Sequence, residues 1–568
     1  MTESMDREAP LMTEDRPVTA FGPDFPFAYD DWITSPAGLG TIPEDRLGTE
    51  VAIIGAGTAG IVAGHELMKL GVRPVLYESG RFGGRLRSET FEGTDGVIAE
   101  LGGMRFPVSS RAFYHYVDLV GLESRPFPNP LTEAAGSTVI DLEGITEFAR
   151  GAHELPPLYR EVADAYHAAL EEFADFTELQ RAVRDRDARR LKELWNPIAE
   201  GWDERTFYDF VVSSKAFSGL SFRHREVFGQ VGFGTGGWDS DFPNSMLEIL
   251  RVNLLELDDN QRYIVGGVES LLHRLWRQPA ACRHWPDHTS LASLNGGATL
   301  GRATRIERDG SGGLTVVDQW GNARTYAAVL VTCQSHLLTT SVSVEESLFD
   351  QQLWMALDRT RYMQAAKSFV MVDRPFWNEI DPETGRPLLS MTLTDRITRG
   401  TYFFDNGPDR PAVICLSYSW MTDALKVLPL GPERRVELAL AALDRIYPGV
   451  DIRSHIRGNP ITVSWEADEN FLGAFKGALP GHYRYNQRMY GHFVQRQLPE
   501  QERGIFLAGD GVSWTPAWVE GAVQTSLNAV WGIIAHLGGA SSPDNPGPGD
   551  VWDELQPVTL PDFRSEPR

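Results

Sequence analysis

Residues 51–60 read VAIIGAGTAG, a short apolar run that enters a cluster of three glycines. The apolar run predicts a buried strand, and the pattern that follows predicts a helix through Leu70 that Gly71 ends. A second strand is predicted from Val75. A strand, a turn, a helix and a second strand in this order predict the start of a doubly wound parallel sheet.

The three glycines match the turn that binds a dinucleotide. Gly55 permits a tight turn, Gly57 lets a pyrophosphate approach the backbone, and Gly60 allows close packing of the helix on the strand. The helix N-terminus supplies N–H donors and the positive end of a dipole. Glu78 lies 18 residues after Gly60, near the position of a carboxylate that binds a ribose diol. The alternative is an ordinary turn between a strand and a helix, and the matching acid argues against it.

A second glycine-rich loop, GGRLR at residues 83–87, follows this strand. Arg85 and Arg87, next to Gly84, can donate forked hydrogen bonds to diphosphate oxygens. The first turn alone does not distinguish FAD from NAD, and a lone Gly-Gly-Arg triplet is typical of basic loops. The pair of loops favours FAD, because the second resembles a loop found at this place in flavoproteins of the amine oxidase type.

The composition describes a globular protein of several domains. At about 150 residues per domain, 568 residues suggest three to four domain-sized units. The chain is 42% hydrophobic and 23% charged, which excludes a disordered or fibrous protein. Three cysteines in a chain of this length exclude a disulfide scaffold, and the absence of a CxxC pair argues against structural zinc. The segment from Cys282 to His284 is too short for a metal site, so we predict no metal.

The charge and the N-terminal residues bear on partners and location. A net charge of -25 argues against nucleic acid and anionic membrane surfaces as partners. No apolar run approaches the roughly 18 residues that indicate a membrane-spanning helix. The chain begins MTESMDREAP, which is acidic and polar, unlike a secretory signal. These features predict a cytoplasmic protein.

Shifts of pattern along the chain divide it into seven predicted segments. Apolar residues from Leu158 to Phe173 recur in steps of three and four, which indicates an amphipathic helix. Helical character continues through the charged stretch 181–193, whereas short strands return after residue 290. The fold class is α/β, with a doubly wound FAD-binding (Rossmann-like) domain, a mixed-sheet substrate domain and a helical insertion. The predicted segments are an N-terminal arm (1–48), a first FAD-binding part (49–150), a helical insertion over the substrate (151–260), a second FAD-binding part (261–335), a substrate-binding sheet domain (336–490), a C-terminal FAD-binding part (491–537) and a flexible tail (538–568).

Three motifs, in the same order as in a known group, carry a resemblance. ELGGMRFP at residues 100–107 resembles the signature of flavin-dependent L-amino acid oxidases and amino acid 2-monooxygenases. AGD at 508–510 with WVEGA at 518–522 resembles the C-terminal flavin-binding motif of that group. AKSF at 366–369 is similar to the stretch that carries the active-site lysine of amine oxidases.

Two further segments narrow the resemblance to one branch. FPFAYDD at 25–31 and RPFPNP at 125–130 resemble the tryptophan, lysine and arginine 2-monooxygenases. The resemblance spans about residues 25–537, nearly the whole chain, and it implies FAD as the cofactor.

The resemblance assigns two cations to the active site. Arg105 would bind the substrate carboxylate, which needs a paired cation when it is buried; the alternative is a structural arginine paired with Glu100. Lys367 would hold a water at flavin N5 and help the reduced flavin react with oxygen. Its alternative is an edge-strand lysine that faces solvent.

Aromatic and cofactor positions follow from the same motifs. Tyr418, Trp420 and Trp518 match positions where relatives surround the substrate with aromatic rings, which excludes water; the alternative is that they are ordinary core residues. Asp510 precedes the last helix, whose N-terminus would favour negative charge on the reduced flavin ring. The cofactor-binding set implied here is Met104, Arg105, Asp510, Trp518 and Val519.

A glycine-rich loop predicts the side-chain preference. Asp239 and Asp241 lie in GTGGWDSD at residues 234–241, a region that covers the substrate side chain in the branch resembled. A carboxylate there would pair with an ammonium or guanidinium, which predicts a basic substrate such as arginine or lysine. Ordinary turn aspartates are the alternative for both residues.

The implied reaction is oxidation of an L-amino acid by hydride transfer from Cα to FAD, followed by reoxidation with molecular oxygen. Peroxide retained with the imino acid would give carbon dioxide and the amide one carbon shorter, as in a 2-monooxygenase. Escape of both would give a 2-oxo acid, ammonia and hydrogen peroxide, as in an L-amino acid oxidase. An NAD-dependent dehydrogenase is a further alternative, but it would not explain the C-terminal motif. The last alternative is a non-catalytic nucleotide-binding protein, which would bind no flavin. Relatives usually self-associate, which implies a homo-oligomer.

Overall fold

The structure, a computed structural model, describes residues 17–231, 242–309 and 312–560. Its helices, in chain order, are α1 (Tyr29–Thr34), α2 (Thr58–Lys69), α3 (Arg111–Leu119), α4 (Pro157–Ala174), α5 (Phe176–Asp185), α6 (Ala188–Trp202), α7 (Phe207–Val212), α8 (Lys215–Ser218), α9 (Phe222–Glu226), α10 (Met246–Leu254), α11 (Glu269–Arg277), α12 (Leu291–Leu294), α13 (Leu337–Thr340), α14 (Gln351–Arg359), α15 (Met421–Val427), α16 (Pro432–Ile446), α17 (Tyr483–Tyr490), α18 (Val519–His536) and α19 (Trp552–Leu555).

Its strands, in chain order, are β1 (Glu50–Ile54), β2 (Arg73–Tyr77), β3 (Ser88–Thr90), β4 (Ile98–Glu100), β5 (Phe106–Pro107), β6 (Ser124–Pro126), β7 (Thr138–Leu142), β8 (Ile145–Ala149), β9 (Gln261–Ile264), β10 (Ala303–Arg308), β11 (Leu314–Asp318), β12 (Ala323–Tyr326), β13 (Ala328–Val331), β14 (Ser343–Val344), β15 (Tyr362–Met363), β16 (Ala365–Val372), β17 (Met391–Thr394), β18 (Gly400–Phe404), β19 (Ala412–Trp420), β20 (Ile456–Ser464), β21 (Phe475–Lys476) and β22 (Ile505–Leu507).

A parallel sheet in the order β2-β1-β13-β22 forms the nucleotide-binding core. Its strands come from the start, the middle and the end of the chain, and each pair is parallel. Helices α2 and α18 pack against each other beside this sheet, while an apolar cluster joins it to β10 and β11. The predicted α/β class with a doubly wound sheet is therefore confirmed.

The turn after β1 has the geometry that its glycines predict. Gly55 adopts a backbone φ of +114°, which residues that carry a side chain rarely adopt. Gly57 is the N-cap residue of α2. A Cβ on Gly60 would lie 2.0 Å from the carbonyl oxygen of Gly55. The helix therefore approaches the strand closely only because position 60 lacks a side chain.

A mixed sheet of seven strands, in the order β20-β16-β19-β18-β17-β7-β8, forms a second layer. Strand β16 lies between β19 and β20, is antiparallel to both, and is buried along its whole length. Helix α16 covers one side of this sheet through an apolar cluster. Two of its strands, β7 and β8, come from the segment predicted to belong to the first FAD-binding part.

Helices α4 to α10 form most of the predicted helical insertion. The sequence predicts that helical character continues through 181–193, but the structure breaks the chain at Arg186, which has a left-handed φ of +52°. The guanidinium of Arg186 binds the carboxylates of Asp30 and Asp31 in the arm. Asp187 then caps α6 by accepting a hydrogen bond from the backbone N–H of Arg190 (2.9 Å).

Both ends of the described chain pack on the body. The arm aromatics Phe25, Tyr29 and Trp32 are buried. The flexible tail predicted for 538–568 differs from the structure, because its described part is packed against the arm. Asn545 donates a hydrogen bond from its amide nitrogen to the carbonyl of Trp32 (3.0 Å), and the Trp552 ring lies 5.3 Å from that of Phe25. Apolar burial by these side chains explains why the segment is ordered.

Substitution of Gly60 tests the close approach of α2 to β1. Gly60→Ala should lower the free energy of unfolding of the cofactor-free protein by at least about 1–3 kcal/mol, because the methyl group overlaps a backbone oxygen that cannot move aside. Gly57→Ala is the matched control, since the nearest heavy atoms to its Cβ are 3.9 Å away. Chemical denaturation measures both variants, and equal stability of the two would contradict the packing argument.

Candidate active site

One cavity of about 310 Å³ runs from the first glycine turn to the aromatic residues of the mixed sheet. Its lining includes most of the residues predicted from sequence, namely Gly55, Gly57, Glu78, Gly84, Arg85, Met104, Arg105, Lys367, Tyr418, Trp420, Asp510, Trp518 and Val519. Gly60 and Arg87 do not line it in the described part of the chain. Asp239 and Asp241 lie outside the described residues.

Glu78 stands at the end of β2, where its carboxylate is held by backbone donors. Oε2 accepts from the N–H of Ala56 (2.8 Å) and Oε1 from the N–H of Gly80 (2.9 Å). Burial raises the pKa of Glu78, while these donors act to lower it. The carboxylate is thus fixed close to Gly57, where a Cβ would have its nearest neighbours, Gly83 and Gly84, 3.9 Å away. This arrangement fits the ribose and the diphosphate of a dinucleotide.

The second glycine loop is joined to the C-terminal motif by a partly buried ion pair. Arg85 makes a two-pronged contact with Asp510, and its Nη1 also donates to the carbonyl of Ala474 (3.1 Å). Arg87 instead pairs with Glu89 through Nη2 (2.8 Å). The two arginines that the sequence groups together therefore have different surroundings, and only Arg85 borders the cavity.

The turn after β22 places the start of α18 against the cavity. Asp510 accepts a hydrogen bond from the backbone N–H of Ala517 (3.3 Å), and Ala517 has a left-handed φ of +71°. Trp518 caps α18, and Val519 is the first residue of the helix. Backbone strain at Ala517, which is not a glycine, marks a segment whose conformation is set by its surroundings.

Glu520 of the WVEGA motif has a structural contact that the sequence does not predict. Its carboxylate accepts hydrogen bonds from the backbone N–H groups of Phe113 (2.8 Å) and Ala112 (3.3 Å). These groups lie in the first turn of α3, where N–H groups lack partners within the helix. Glu520 therefore joins the start of α18 to the start of α3.

Lys367 is a buried residue of the central strand β16, not an edge lysine. Its side chain is 2% exposed, and its Nζ donates to the carbonyls of Glu100 (3.1 Å) and Gly102 (2.5 Å). The ammonium also lies 4.6 Å from the centre of the Tyr418 ring. Burial lowers the pKa of Lys367 to about 8. The amine can therefore exchange a proton near neutral pH.

Arg105 closely follows Gly102 and Gly103 in the chain and lies among three aromatic rings. Its guanidinium carbon is 5.8 to 5.9 Å from the ring centres of Tyr418, Phe127 and Tyr402, and Nη1 donates to the Tyr402 hydroxyl (3.3 Å). The rings face a cation favourably and hold the guanidinium in place. It can present paired donors to a carboxylate in the cavity.

The carboxylate of Glu100, the alternative partner of Arg105, is occupied elsewhere. Oε1 accepts from the N–H of Val268 (2.8 Å) and Oε2 from the hydroxyl of Ser88 (2.8 Å). Burial raises the pKa of Glu100 to about 7. Glu100 thus stabilises the loop that carries Arg105 without forming the structural ion pair considered from sequence.

Aromatic side chains line the substrate end of the cavity. Tyr418 and Trp420 have ring centres 4.4 Å apart, and Phe242 lies 6.4 Å from Trp420. The sequence does not identify Phe242 or Trp465, which also line the cavity. Trp465 directly follows β20 and donates from Nε1 to the carbonyl of Leu101 (3.1 Å). Only the pairing of β20 with β16 places it near Lys367, and that pairing leaves no local sequence signal.

Two negative findings apply to residues 17–231, 242–309 and 312–560. No helix there is long and apolar enough to cross a membrane. No group of three or more His, Cys, Asp or Glu side chains in these residues is placed to hold a metal ion.

Similarity to known proteins agrees with this geometry. Tryptophan 2-monooxygenase of Pantoea agglomerans pv. gypsophilae is 29% identical over 538 residues, which cover 88% of this chain and 91% of that protein. The enzyme of the same name from Pseudomonas savastanoi is 29% identical and covers 90% and 93% of the two chains. An L-amino-acid oxidase of Mus musculus is 25% identical, with 86% and 71% covered.

Solved structures show the same fold. Putrescine oxidase with putrescine bound has a TM-score of 0.61 at 18% identity and covers 86% of this chain and 99% of its own. Cyclohexylamine oxidase from Brevibacterium oxydans has a TM-score of 0.62 at 17% identity, with the same coverage. Residues 58–534 match the family model described as flavin containing amine oxidoreductase. The predictions of an enzyme and of FAD as its cofactor are thus confirmed, and the chain belongs to the flavin containing amine oxidoreductase family.

Proposed function

We propose that this enzyme oxidises an L-α-amino acid with oxygen and converts the product to the amide one carbon shorter. The observation that carries the proposal is the pair of cations, Arg105 and Lys367, which both lie close to the Tyr418 ring in the cavity. The carboxylate of an α-amino acid matches the forked donors of the Arg105 guanidinium, and a simple amine has no such group. The names of the relatives, which act on tryptophan or on L-amino acids, support the same class.

Each residue then has a definite task in the reaction. Arg105 binds the carboxylate and orients Cα, while the rings of Tyr418 and Trp420 exclude water from the reacting centre. Lys367 holds a water molecule and a mobile proton beside the carbonyls of Glu100 and Gly102. When bound, FAD accepts the hydride and passes the two electrons to oxygen.

The products balance in two steps. Amino acid and oxygen give imino acid and hydrogen peroxide, after which these two react to give amide, carbon dioxide and water. The second step needs both molecules to stay in the cavity, and helix α10 together with the aromatic lining favours retention. Two relatives named tryptophan 2-monooxygenase are similar to this chain over about nine-tenths of its length, which supports formation of the amide. Release of both molecules would give the alternative oxidase reaction.

We propose a basic side chain for the substrate, with tryptophan as the second candidate. The acidic Asp239 and Asp241 support the first choice, as does Asp258, a partly buried carboxylate that lines the cavity. The rings of Trp420 and Phe242 and the names of the relatives favour an indole. Both a guanidinium and an indole are flat groups that stack on aromatic rings.

A substrate panel with product masses tests the function. We expect oxygen uptake to be fastest with L-arginine or L-lysine and the main product to be the corresponding amide. Asp241→Asn should lower kcat/KM for these substrates by about 10- to 100-fold, since a charged hydrogen bond contributes about 1.5–3 kcal/mol, and leave L-tryptophan turnover unchanged. Fastest turnover with L-tryptophan would select the second candidate. A 2-oxo acid with free peroxide as the main products would replace the monooxygenase with the oxidase.

Arg105→Ala tests the carboxylate anchor. We expect KM for every accepted amino acid to rise about 10- to 100-fold at saturating FAD, because a charged hydrogen bond contributes about 1.5–3 kcal/mol. Arg87→Ala is the control, since Arg87 pairs with Glu89 away from the cavity. Steady-state oxygen uptake measures both variants, and an unchanged KM for Arg105→Ala would show that the carboxylate binds elsewhere.

Lys367→Met tests the proton donor. The reoxidation rate of the reduced enzyme should fall about 100-fold, within the range for general acid catalysis, while reduction by substrate is little affected. In the unsubstituted enzyme this rate should be high below pH 8 and decline above it, because the pKa of Lys367 is lowered to about 8 and the ammonium loses its proton. Stopped-flow mixing with oxygen between pH 6.5 and 9.5 measures both. Lys426→Met, at an exposed lysine paired with Asp423, is the control. A wild-type pH profile that survives in Lys367→Met would exclude this role.

A further inference from the structure

A buried ion pair joins the N-terminal arm to the helix beside the cavity. Arg251 of α10 contacts both carboxylate oxygens of Asp24, and its Nη2 donates to Oδ1 over 2.9 Å. The two side chains are 3% and 0% exposed. Trp195 of α6 donates its indole N–H to the same carboxylate (2.9 Å). Asp24 therefore satisfies two buried donors from two different helices.

Aromatic rings enclose the guanidinium on its remaining sides. Its carbon lies 4.9 Å from the Trp514 ring centre, 5.1 Å from Trp195 and 5.9 Å from Tyr483. Trp514 belongs to the turn between Asp510 and α18, so Arg251 contacts the arm, the helical insertion and the C-terminal FAD-binding turn at once. The rings and the Asp24 carboxylate together hold the guanidinium in one position, so the two side chains can move only together.

The same short helix lines the cavity. Glu248 and Ile249, on the turn of α10 before Arg251, and Val252 directly after it are lining residues. Glu248 accepts from the backbone N–H of Ala478 (2.5 Å), and the N–H of Ser245 donates to the carbonyl of Ala478 (2.7 Å).

Strand β21, which precedes Ala478, links α10 to the turn after β22. Lys476, at the end of β21, is 1% exposed and donates from Nζ to the carbonyl of Gly511 (2.9 Å). Gly511 directly follows Asp510, the partner of Arg85. A shift of α10 would therefore move both the residues that line the cavity and the turn that contains Asp510 and Gly511.

We propose that Asp24 is a positioning residue of the active site, which fixes α10 through Arg251 and so sets the side-chain end of the substrate cavity. Residue 24 lies outside the part of the chain that matches the family model, which begins at residue 58. The N-terminal arm is thus a component of the catalytic unit. The expected changes in kcat/KM and in the products rest on the proposed function, whereas the expected change in the mobility of α10 rests on the geometry alone.

Asp24→Asn tests the proposal in the full-length holoenzyme. The substitution keeps the shape of the side chain and removes the charge that pairs with Arg251. Amide hydrogen exchange in residues 246–254 should become faster, kcat/KM should fall about 10- to 100-fold, as for a small misplacement of substrate-binding groups, and the share of amide among the products should fall. Bound flavin should stay near one per chain.

Asp31→Asn is the matched control. Asp31 also anchors the arm, through Arg186, but its side chain is 74% exposed and its partner lies on the α5–α6 turn rather than on α10. Exchange in 246–254 and kcat/KM should stay within about twofold of the unsubstituted enzyme. An equal loss in both variants would mean that any loosening of the arm has this effect, and it would overturn a specific role for Asp24.

Trp195→Phe keeps the test decisive if Asp24→Asn does not fold. It removes one donor to Asp24 and retains an aromatic ring against Arg251, so a smaller change of the same kind is expected. Unchanged exchange in α10 and unchanged kinetics in the folded variants would overturn the proposal. If the unsubstituted enzyme oxidises no L-amino acid, the proposed function fails, whereas the exchange comparison still decides the positioning role.

Discussion

The ion pair between Arg85 and Asp510 joins segments that lie 425 positions apart in the chain. In a parallel sheet the carboxyl ends of the strands meet at one edge, and in the sheet β2-β1-β13-β22 Arg85 lies in the loop after β2 whereas Asp510 lies in the turn after β22. The pair fixes the two loops that emerge from that edge, and Asp510 also holds the strained turn before Trp518. Removal of either partner would leave a partly buried charge without its counter-ion, which is unfavourable. The cofactor site and the start of α18 therefore depend on the same contact.

The substrate end is built around two cations, the buried Lys367 and the partly buried Arg105. Backbone carbonyls hold Lys367, aromatic rings surround Arg105, and the Tyr418 ring lies beside both. Their mutual repulsion contributes to the lowered pKa of Lys367, after the larger effect of burial. A carboxylate that enters this space gains attraction from both groups. The geometry thus selects for an anionic group on the substrate while leaving the side-chain end to other residues.

The sequence predicts those parts of the site that local motifs encode. Gly55, Gly57, Glu78 and Arg85 are predicted from the chemistry of the two glycine loops, whereas Arg105, Lys367 and Trp518 are predicted from motifs that resemble those of a known family. All of them line one cavity. Phe242 and Trp465 escape prediction, since only strand pairing and helix packing bring them there. The break at Arg186 and the packing of segment 538–560 escape it for a similar reason, because partners in the distant arm determine both.

Anaerobic addition of single L-amino acids to the flavin-loaded enzyme tests the central claim most directly, because it observes reduction of the cofactor without the oxygen-dependent steps. The account predicts that the visible flavin absorbance bleaches with at least one L-amino acid. It predicts no bleaching with the D-enantiomer or with the matching amine that lacks the carboxylate. Bleaching by the amine at the same rate would contradict the role given to Arg105 and Lys367, and so would absence of bleaching with every L-amino acid.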